Sequence, residues 1–254
     1  MSHIVTETRD RIARIELARL DKKNALTAEM YAAMADALAA AEADRDVRAI
    51  LIHGAPDCFA AGNDLADFVK RPSFDDSAPV MRFMRAIATA AKPIVAAVGG
   101  PAVGIGTTML LHCDLVYAAP KTRFQLPFVG LGIIPEAGSS MLLPMIAGYQ
   151  RAAELMLLGK PFDAEKAMAA GFVNEIVPPE SLLERARQAA LDIAALPPAS
   201  VRLTKQFMKQ RYAKPLAELM VEEAKVLTER VGSPEAQEAF SAFFEKRKPD
   251  FSRF

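Results

Sequence analysis

Short apolar runs alternate with helix-spaced stretches through the first two-thirds of this chain, and helical spacing then holds almost to its end. From Arg11 to Leu17, Ile12, Ile15 and Leu17 are interspersed with charge, which predicts an early, partly exposed strand; the charged residues before it are strand-like too. After a polar turn at Asp21–Asn24, Thr27 is the expected N-cap of an alanine-rich helix running to Ala43. Arg48–His53 reads as a short buried strand, and Cys58–Leu65 as a turn of small residues leading into a helix. Residues 71–78 are polar with proline and read as a loop flanking any pocket there. A helix over Met81–Ala90 and a strand over Ile94–Val98 follow, separated by Lys92-Pro93. An apolar segment at Ile105–Leu111, a strand at Leu115–Ala118 and a turn holding Glu136 come next.

Further on, Arg151–Leu158 and Asp163–Ala170 have helical spacing, each closed by a glycine, Gly159 and Gly171, where helix C-termini favour one. Phe172–Val177 predicts a last strand, and the remainder is expected to be helical, broken at Pro197-Pro198 and at Pro215. Strands alternating with helices, then an all-helical end, imply an α/β core with a C-terminal helical extension. No sequence repeat of fixed period is visible.

Composition narrows the function classes. At 254 residues the chain can bury a substantial core, and 31 basic against 31 acidic residues leave no net field that would favour nucleic acid or an anionic membrane. Two cysteines, Cys58 and Cys113, do not make a disulfide framework and fit a reducing compartment. No apolar run is long enough to span a bilayer and the N-terminus carries no apolar signal region, so a cytoplasmic protein is expected.

Three stretches have chemical potential. Phe59–Leu65 (FAAGNDL) is either a tight strand-to-helix turn capped by Asp64 or a place where small residues let backbone approach a ligand. Gly99–Gly106 (GGPAVGIG) lacks the spacing of a dinucleotide fingerprint and the Gly-Lys-Ser/Thr of a phosphate loop, yet it can present free N–H groups to an anion. Glu136, in Ile134-Pro135-Glu136-Ala137-Gly138, is either a solvated helix-start carboxylate or a base in an apolar pocket, where its proton affinity would rise. His3, His53 and His112 are too far apart for a local metal motif, and His112 reads as a packed core residue. Ser139-Ser140 is not in a nucleophile elbow. The basic residues Arg202, Lys205, Lys209 and Arg211 read as a solvated helix face with little aromatic interleaving.

In order along the chain, FAAGNDL, KPIVAAVGGPAVGIGTTMLLHCDLVYA, FQLPFVGLGIIPEAGSSMLLP, AAELMLLGKPFDAEKAMAAGFVNEIV and the terminal FFEKRKPDF resemble the enoyl-CoA hydratase/isomerase (crotonase) superfamily. The resemblance covers essentially the whole chain. It implies an α/β fold, a crotonase-like spiral of ββα turns, with a core over residues 1–196 and a C-terminal α-helical trimerisation region over 197–254. It further implies a homotrimer or dimer of trimers acting on acyl-CoA thioesters, with no cofactor beyond the coenzyme A of the substrate and no nucleic-acid or membrane partner. The oxyanion hole would be the backbone N–H groups of Asn63 and Ile105. Ala61, Gly62, Gly104 and Gly106, which build its turns, would bind the substrate together with Ala25, Asp64, Leu65 and Phe128. At the tail Phe240, Phe243 and Phe244 are spaced to anchor a helix, and Lys246, Arg247 and Lys248 are either its solvated end or cations that meet the CoA phosphates.

Departures from the family pattern sharpen the expectation. A glycine commonly found at Ile105 is missing, which narrows the pocket without removing a backbone donor. The two glutamates of the hydratases fall at Thr108 and at Phe128, which follows Pro127; syn hydration needs one group to activate water and one to deliver a proton, and neither side chain can do this. Glu136 instead matches the single catalytic glutamate of the Δ3-Δ2-enoyl-CoA isomerase branch. That activity is the leading expectation. Alternatives are a one-carboxylate relative acting on a ring-containing, branched or halogenated acyl-CoA, a hydratase using Glu136 alone, and, from another class, an RNA-binding homologue.

Overall fold

The computed structural model describes residues 3–70, 75 and 77–254, and of Val69 and Lys70 the backbone alone. The loop expected at 71–78 thus lies largely outside the described residues. In chain order the elements are β1 (Ile4–Arg9), β2 (Ile12–Leu17), α1 (Ala28–Ala43), β3 (Ala49–His53), α2 (Leu65–Lys70), α3 (Pro79–Thr89), β4 (Ile94–Val98), β5 (Pro101–Val103) and α4 (Ile105–Thr108). There follow β6 (Leu115–Ala118), β7 (Arg123–Gln125), α5 (Ser139–Ala147), α6 (Tyr149–Leu158), β8 (Phe162–Asp163), α7 (Ala164–Ala169), β9 (Glu175–Ile176), α8 (Pro179–Ala195), α9 (Pro198–Val231) and α10 (Pro234–Phe244).

A hairpin opens the fold: Asp10 and Arg11 both take the left-handed conformation that a two-residue turn between antiparallel strands requires. From β2 onward the first sheet is parallel, in the order β1-β2-β3-β4-β6-β9. Its central strands are buried on both faces, which is why AILIH and IVAAV are continuous apolar runs rather than alternating ones. Alternate residues still part company. Ala49, Leu51, Val95 and Ala97 pack with Ala186, Ala189 and Ala190 of α8, whereas Ile50, Ile52, Ile94 and Ala96 join the larger core with Met34 and Leu38 of α1 and Phe83 of α3.

A second sheet, β5-β7-β8, lies beside the first. The pairs β4/β5, β6/β7 and β9/β8 each give one strand to each sheet. Residues after β3 do the same, because Ala60 bridges Ala102 of β5. This is the repeating ββα spiral, and it escapes a sequence search because the connecting segments differ in length from turn to turn.

Several expectations shift. Thr27 caps α1 as predicted, its hydroxyl accepting from Met30 N–H. The GGP stretch is not only a turn, since Pro101–Val103 is a strand. Phe172–Val177 narrows to a two-residue strand, although Asn174 and Val177 also donate to Val116 and Ala118 of β6. Pro215 does not break the last helices, because α9 runs through it. Pro215 stands on the exposed side, as does Arg211, whose carbonyl is the one a proline at this place leaves without its helical partner. Leu216, Met220, Glu223, Leu227 and Val231 keep the opposite stripe buried.

Lys205 is not solvated either: it is buried, its ammonium donating to the Lys92 carbonyl and to Asp114, both at 2.7 Å. At the tail, Arg247 is committed to Glu238 and Glu245 rather than free for a ligand. Among the described residues no helix is long and apolar enough to cross a membrane.

Candidate active site

Two backbone turns meet where the second sheet begins. Ala60 N–H donates to Pro101 O at 2.9 Å and Val103 N–H to Ala60 O at 2.9 Å, which fixes the Ala61-Gly62-Asn63 turn against the Gly104-Ile105-Gly106 turn. Both approaches need glycine. A Cβ on Gly62, which has φ of 92°, would stand 2.9 Å from Val103 O, and one on Gly106 would stand 2.8 Å from Ala60 O.

The first turn is also tied to Leu26. Leu26 N–H donates to Gly62 O and Asp64 N–H donates to Leu26 O, the pattern of a parallel bridge, so the N–H of the intervening Asn63 points the other way. In the second turn Gly104 N–H donates to Gln125 O and Gly104 O accepts from Thr107 and Thr108, leaving the Ile105 N–H at the head of α4. Neither N–H donates to a protein acceptor among the described residues. These are the two donors that sequence comparison with the crotonase pattern assigns.

Ala25, Ala61, Asp64 and Leu65 form a half-buried rim beside these turns. The Asp64 carboxylate is already engaged there, accepting from Arg19 at 2.8 Å, and Arg19 also donates to Ala25 O. Burial works to raise the Asp64 proton affinity, but Arg19 and the N–H groups of Asp67 and Ala66 outweigh it and hold the carboxyl below its ordinary range. Asn24, buried and left-handed, was visible in the sequence only as a turn residue. Its amide donates to Cys58 O and Phe59 O and its carbonyl accepts from Arg19 N–H, which anchors the segment leading to Ala61.

Glu136 sits at 2% exposure, and neither carboxyl oxygen has a hydrogen-bond partner among the described residues. Of the three buried glutamates described, Glu238 meets Arg247 and Arg253, and Glu223 accepts from Gly138 N–H and Ser140 Oγ. Glu136 alone has nothing to compensate its charge. Burial, and secondly the negative charge of Glu223, push its pKa up to about 8.

The backbone that carries it is held closely. Ser139 donates to Glu136 O from both N–H and Oγ, and Ala137 and Gly138 are both left-handed, a strained choice for alanine. His112 Nε2 donates to Ala137 O at 2.7 Å; burial lowers that imidazole to about 4, so it is neutral. Tyr31 of α1 bonds to the first turn within the electrostatic reach of the acid. Its hydroxyl donates to Asn63 Oδ1, and its own proton is held well above the ordinary range by burial first, then by the nearby charges of Glu136 and Asp67.

Thr108 and Phe128, in the places of the hydratase acids, are buried, and the Thr108 hydroxyl has no partner among the described residues. Thr108→Val is therefore expected to leave turnover within about threefold and to raise stability by about 1 kcal/mol, because an unsatisfied buried hydroxyl is removed. Parallel denaturant unfolding and steady-state assays check this; a large loss of turnover would give Thr108 a proton to carry. Tyr31 and Glu223 were missed in the sequence. Glu223 had a signal, an acid placed in the apolar stripe of Leu216, Met220 and Leu227.

A family model described as Enoyl-CoA hydratase/isomerase matches residues 7–253. The chain is 34% identical to 1,2-epoxyphenylacetyl-CoA isomerase of Escherichia coli K12, covering 99% of each, and 31% identical to 2,3-dehydroadipyl-CoA hydratase of the same organism, again covering 99% of each. A crystal structure of an enoyl-CoA hydratase/isomerase from Pseudoalteromonas atlantica superposes with a TM-score of 0.93 at 38% identity, over 98% of this chain and 100% of that one. Names of both reaction types occur among these relatives, so the reaction has to be argued from the side chains.

Proposed function

The chain belongs to the enoyl-CoA hydratase/isomerase family, and from that premise we propose that it is a Δ3-Δ2-enoyl-CoA isomerase. One observation carries the choice: Glu136 is a buried carboxyl without a partner among the described residues, while the hydratase positions hold Thr108 and Phe128. In its ionised form Glu136 takes a proton from C2 of a 3-enoyl-CoA. The C2–H electron pair moves into a dienolate whose thioester oxygen accepts hydrogen bonds from Asn63 N–H and Ile105 N–H. The carboxyl then returns its proton at C4, the double bond settles between C2 and C3, and the base is regenerated. Protons and electrons balance within substrate and Glu136, so the cycle calls for neither metal nor redox cofactor. Phe128 helps keep water from the product. Each oxyanion donor is worth on the order of a hundred- to thousandfold in rate.

The likeness to 1,2-epoxyphenylacetyl-CoA isomerase favours a second reading, in which the same single carboxylate works on a ring-containing acyl-CoA. Turnover of 3-enoyl-CoA, 2-enoyl-CoA and 1,2-epoxyphenylacetyl-CoA by the purified protein separates these. Isomerisation of the first is expected, and hydration of the second as the dominant activity would overturn the proposal.

The active form is proposed to be a cytoplasmic homotrimer or dimer of trimers. The exposed apolar side chains Met145, Tyr149, Leu157 and Leu158 of α5 and α6 support a face covered by another copy, and residues 197–254 are proposed to share in assembly. A monomeric mass in solution would count against it.

A further inference from the structure

The long helix α9 brings a second acid to the turn that bears Glu136. Glu223 is 5% exposed, and its carboxylate accepts from Gly138 N–H at 2.7 Å and from the Ser140 hydroxyl. Leu216 and Met220 of the same helix close over that turn, so tightly that a Cβ on Gly138 would stand 2.2 Å from Leu216 Cδ1. We propose that Glu223 is a positioning residue for Glu136, clamping from α9 the left-handed turn that carries the base. The inference rests on the proton-shuttle reading of Glu136, but one arm of its test does not depend on turnover.

Chemistry explains why an acid is used there. Two donors converge on Glu223, and an ionised carboxylate accepts both, whereas an amide would turn its NH2 toward one of them. The two carboxyls are thus driven to different roles by their surroundings. Burial raises both; the donors Ser140 and Gly138 oppose it at Glu223, which still lies above its ordinary range, while Glu136 has no donor among the described residues and is pushed up to about 8. The other titratable or charged groups facing the pair are Tyr31 from α1 with Asp67 of α2 beyond it, neutral His112 with Lys205 and Lys209 behind it, and Glu222 beside Glu223. The ion closest in influence on Glu136 is Glu223. The C-terminal region therefore completes the site as well as any assembly.

The test compares Glu223→Gln, Glu223→Ala and Ser140→Ala with the native protein, reading the Glu136 carboxyl by infrared difference spectroscopy against Glu136→Gln, together with kcat and KM for 3-enoyl-CoA. In Glu223→Gln the Glu136 titration is expected to move to lower pH, because a neighbouring negative charge is gone. The same variant should lose about 10²-fold in kcat with KM changed only a few-fold, as for a displaced catalytic group. Ser140→Ala keeps the charge and should lower kcat less, with the titration unmoved; it also stands in should Glu223→Ala fail to fold. A native titration and native kcat in Glu223→Gln would overturn the clamp. If the native protein turns over no enoyl-CoA yet Ser140→Ala, which keeps the Glu223 charge and removes one of its two donors, displaces the Glu136 carboxyl band, the clamp stands and the isomerase reading falls. A band left in place by both Ser140→Ala and Glu223→Gln would overturn the clamp. If the native protein isomerises 3-enoyl-CoA with Glu223→Gln unimpaired, the isomerase reading stands and the clamp falls.

Discussion

Glu136→Gln is expected to lower Δ3-to-Δ2 isomerisation by about 10⁴-fold, the upper end of what a general base contributes, because one group serves both proton transfers. The amide keeps the shape of the side chain and removes the basic oxygen. CoA binding should survive, since the proposed oxyanion donors are backbone groups of Asn63 and Ile105, whose turns are held independently of the Glu136 side chain. Exchange of the substrate's C2 proton with deuterated solvent should stop together with turnover. In the native protein, kcat/KM should fall about tenfold per pH unit below about pH 8, as the free enzyme's base is protonated. Retained exchange in Glu136→Gln would return Glu136 to a helix-start residue and remove the isomerase mechanism.

Legibility in the sequence followed the range of the interaction. Elements set by local pattern, such as the Thr27-capped helix and the IVAAV strand, lie where spacing and capping chemistry place them. The two-sheet spiral did not show as periodicity, because pairing of Ala60 with Ala102 or of β7 with β8 joins residues that are distant in the chain. At the candidate site, the motifs pointed to Glu136 and to the turns of Asn63 and Ile105, for they lie in short stretches of distinctive composition. They did not reveal Tyr31 or Glu223, each of which acts across more than thirty residues, on Asn63 and on Gly138 respectively. Pro215 misled for the complementary reason. A local rule ends helices at proline, but the buried stripe of α9 outweighs it where the proline stands on the exposed side.

Stability should run against activity as pH rises. The Glu136 carboxyl has a pKa of about 8 in the folded protein against an ordinary 4.5, so between those values the native state holds a proton that the unfolded chain releases. Its stabilising contribution is full below about pH 4.5 and is lost as pH climbs to about 8, at about 1.4 kcal/mol per unit and on the order of 5 kcal/mol in all. His112 has the opposite sign: lowered by burial to about 4 from 6.5, it adds stability as pH rises through that window. These two slopes largely cancel from about pH 4.5 to 6.5, and of the two the Glu136 loss stands alone from about pH 6.5 to 8. Glu136→Gln removes one slope and keeps the other. Its advantage in unfolding free energy over the native protein should therefore widen steadily from pH 4.5 to 8, reaching roughly 10 °C in Tm relative to their difference at acid pH. Calorimetry of both ligand-free proteins across this range reads it directly. A difference that stays constant with pH would mean that Glu136 is ionised in the folded state at the same pH as in water, and that its burial does not raise its proton affinity.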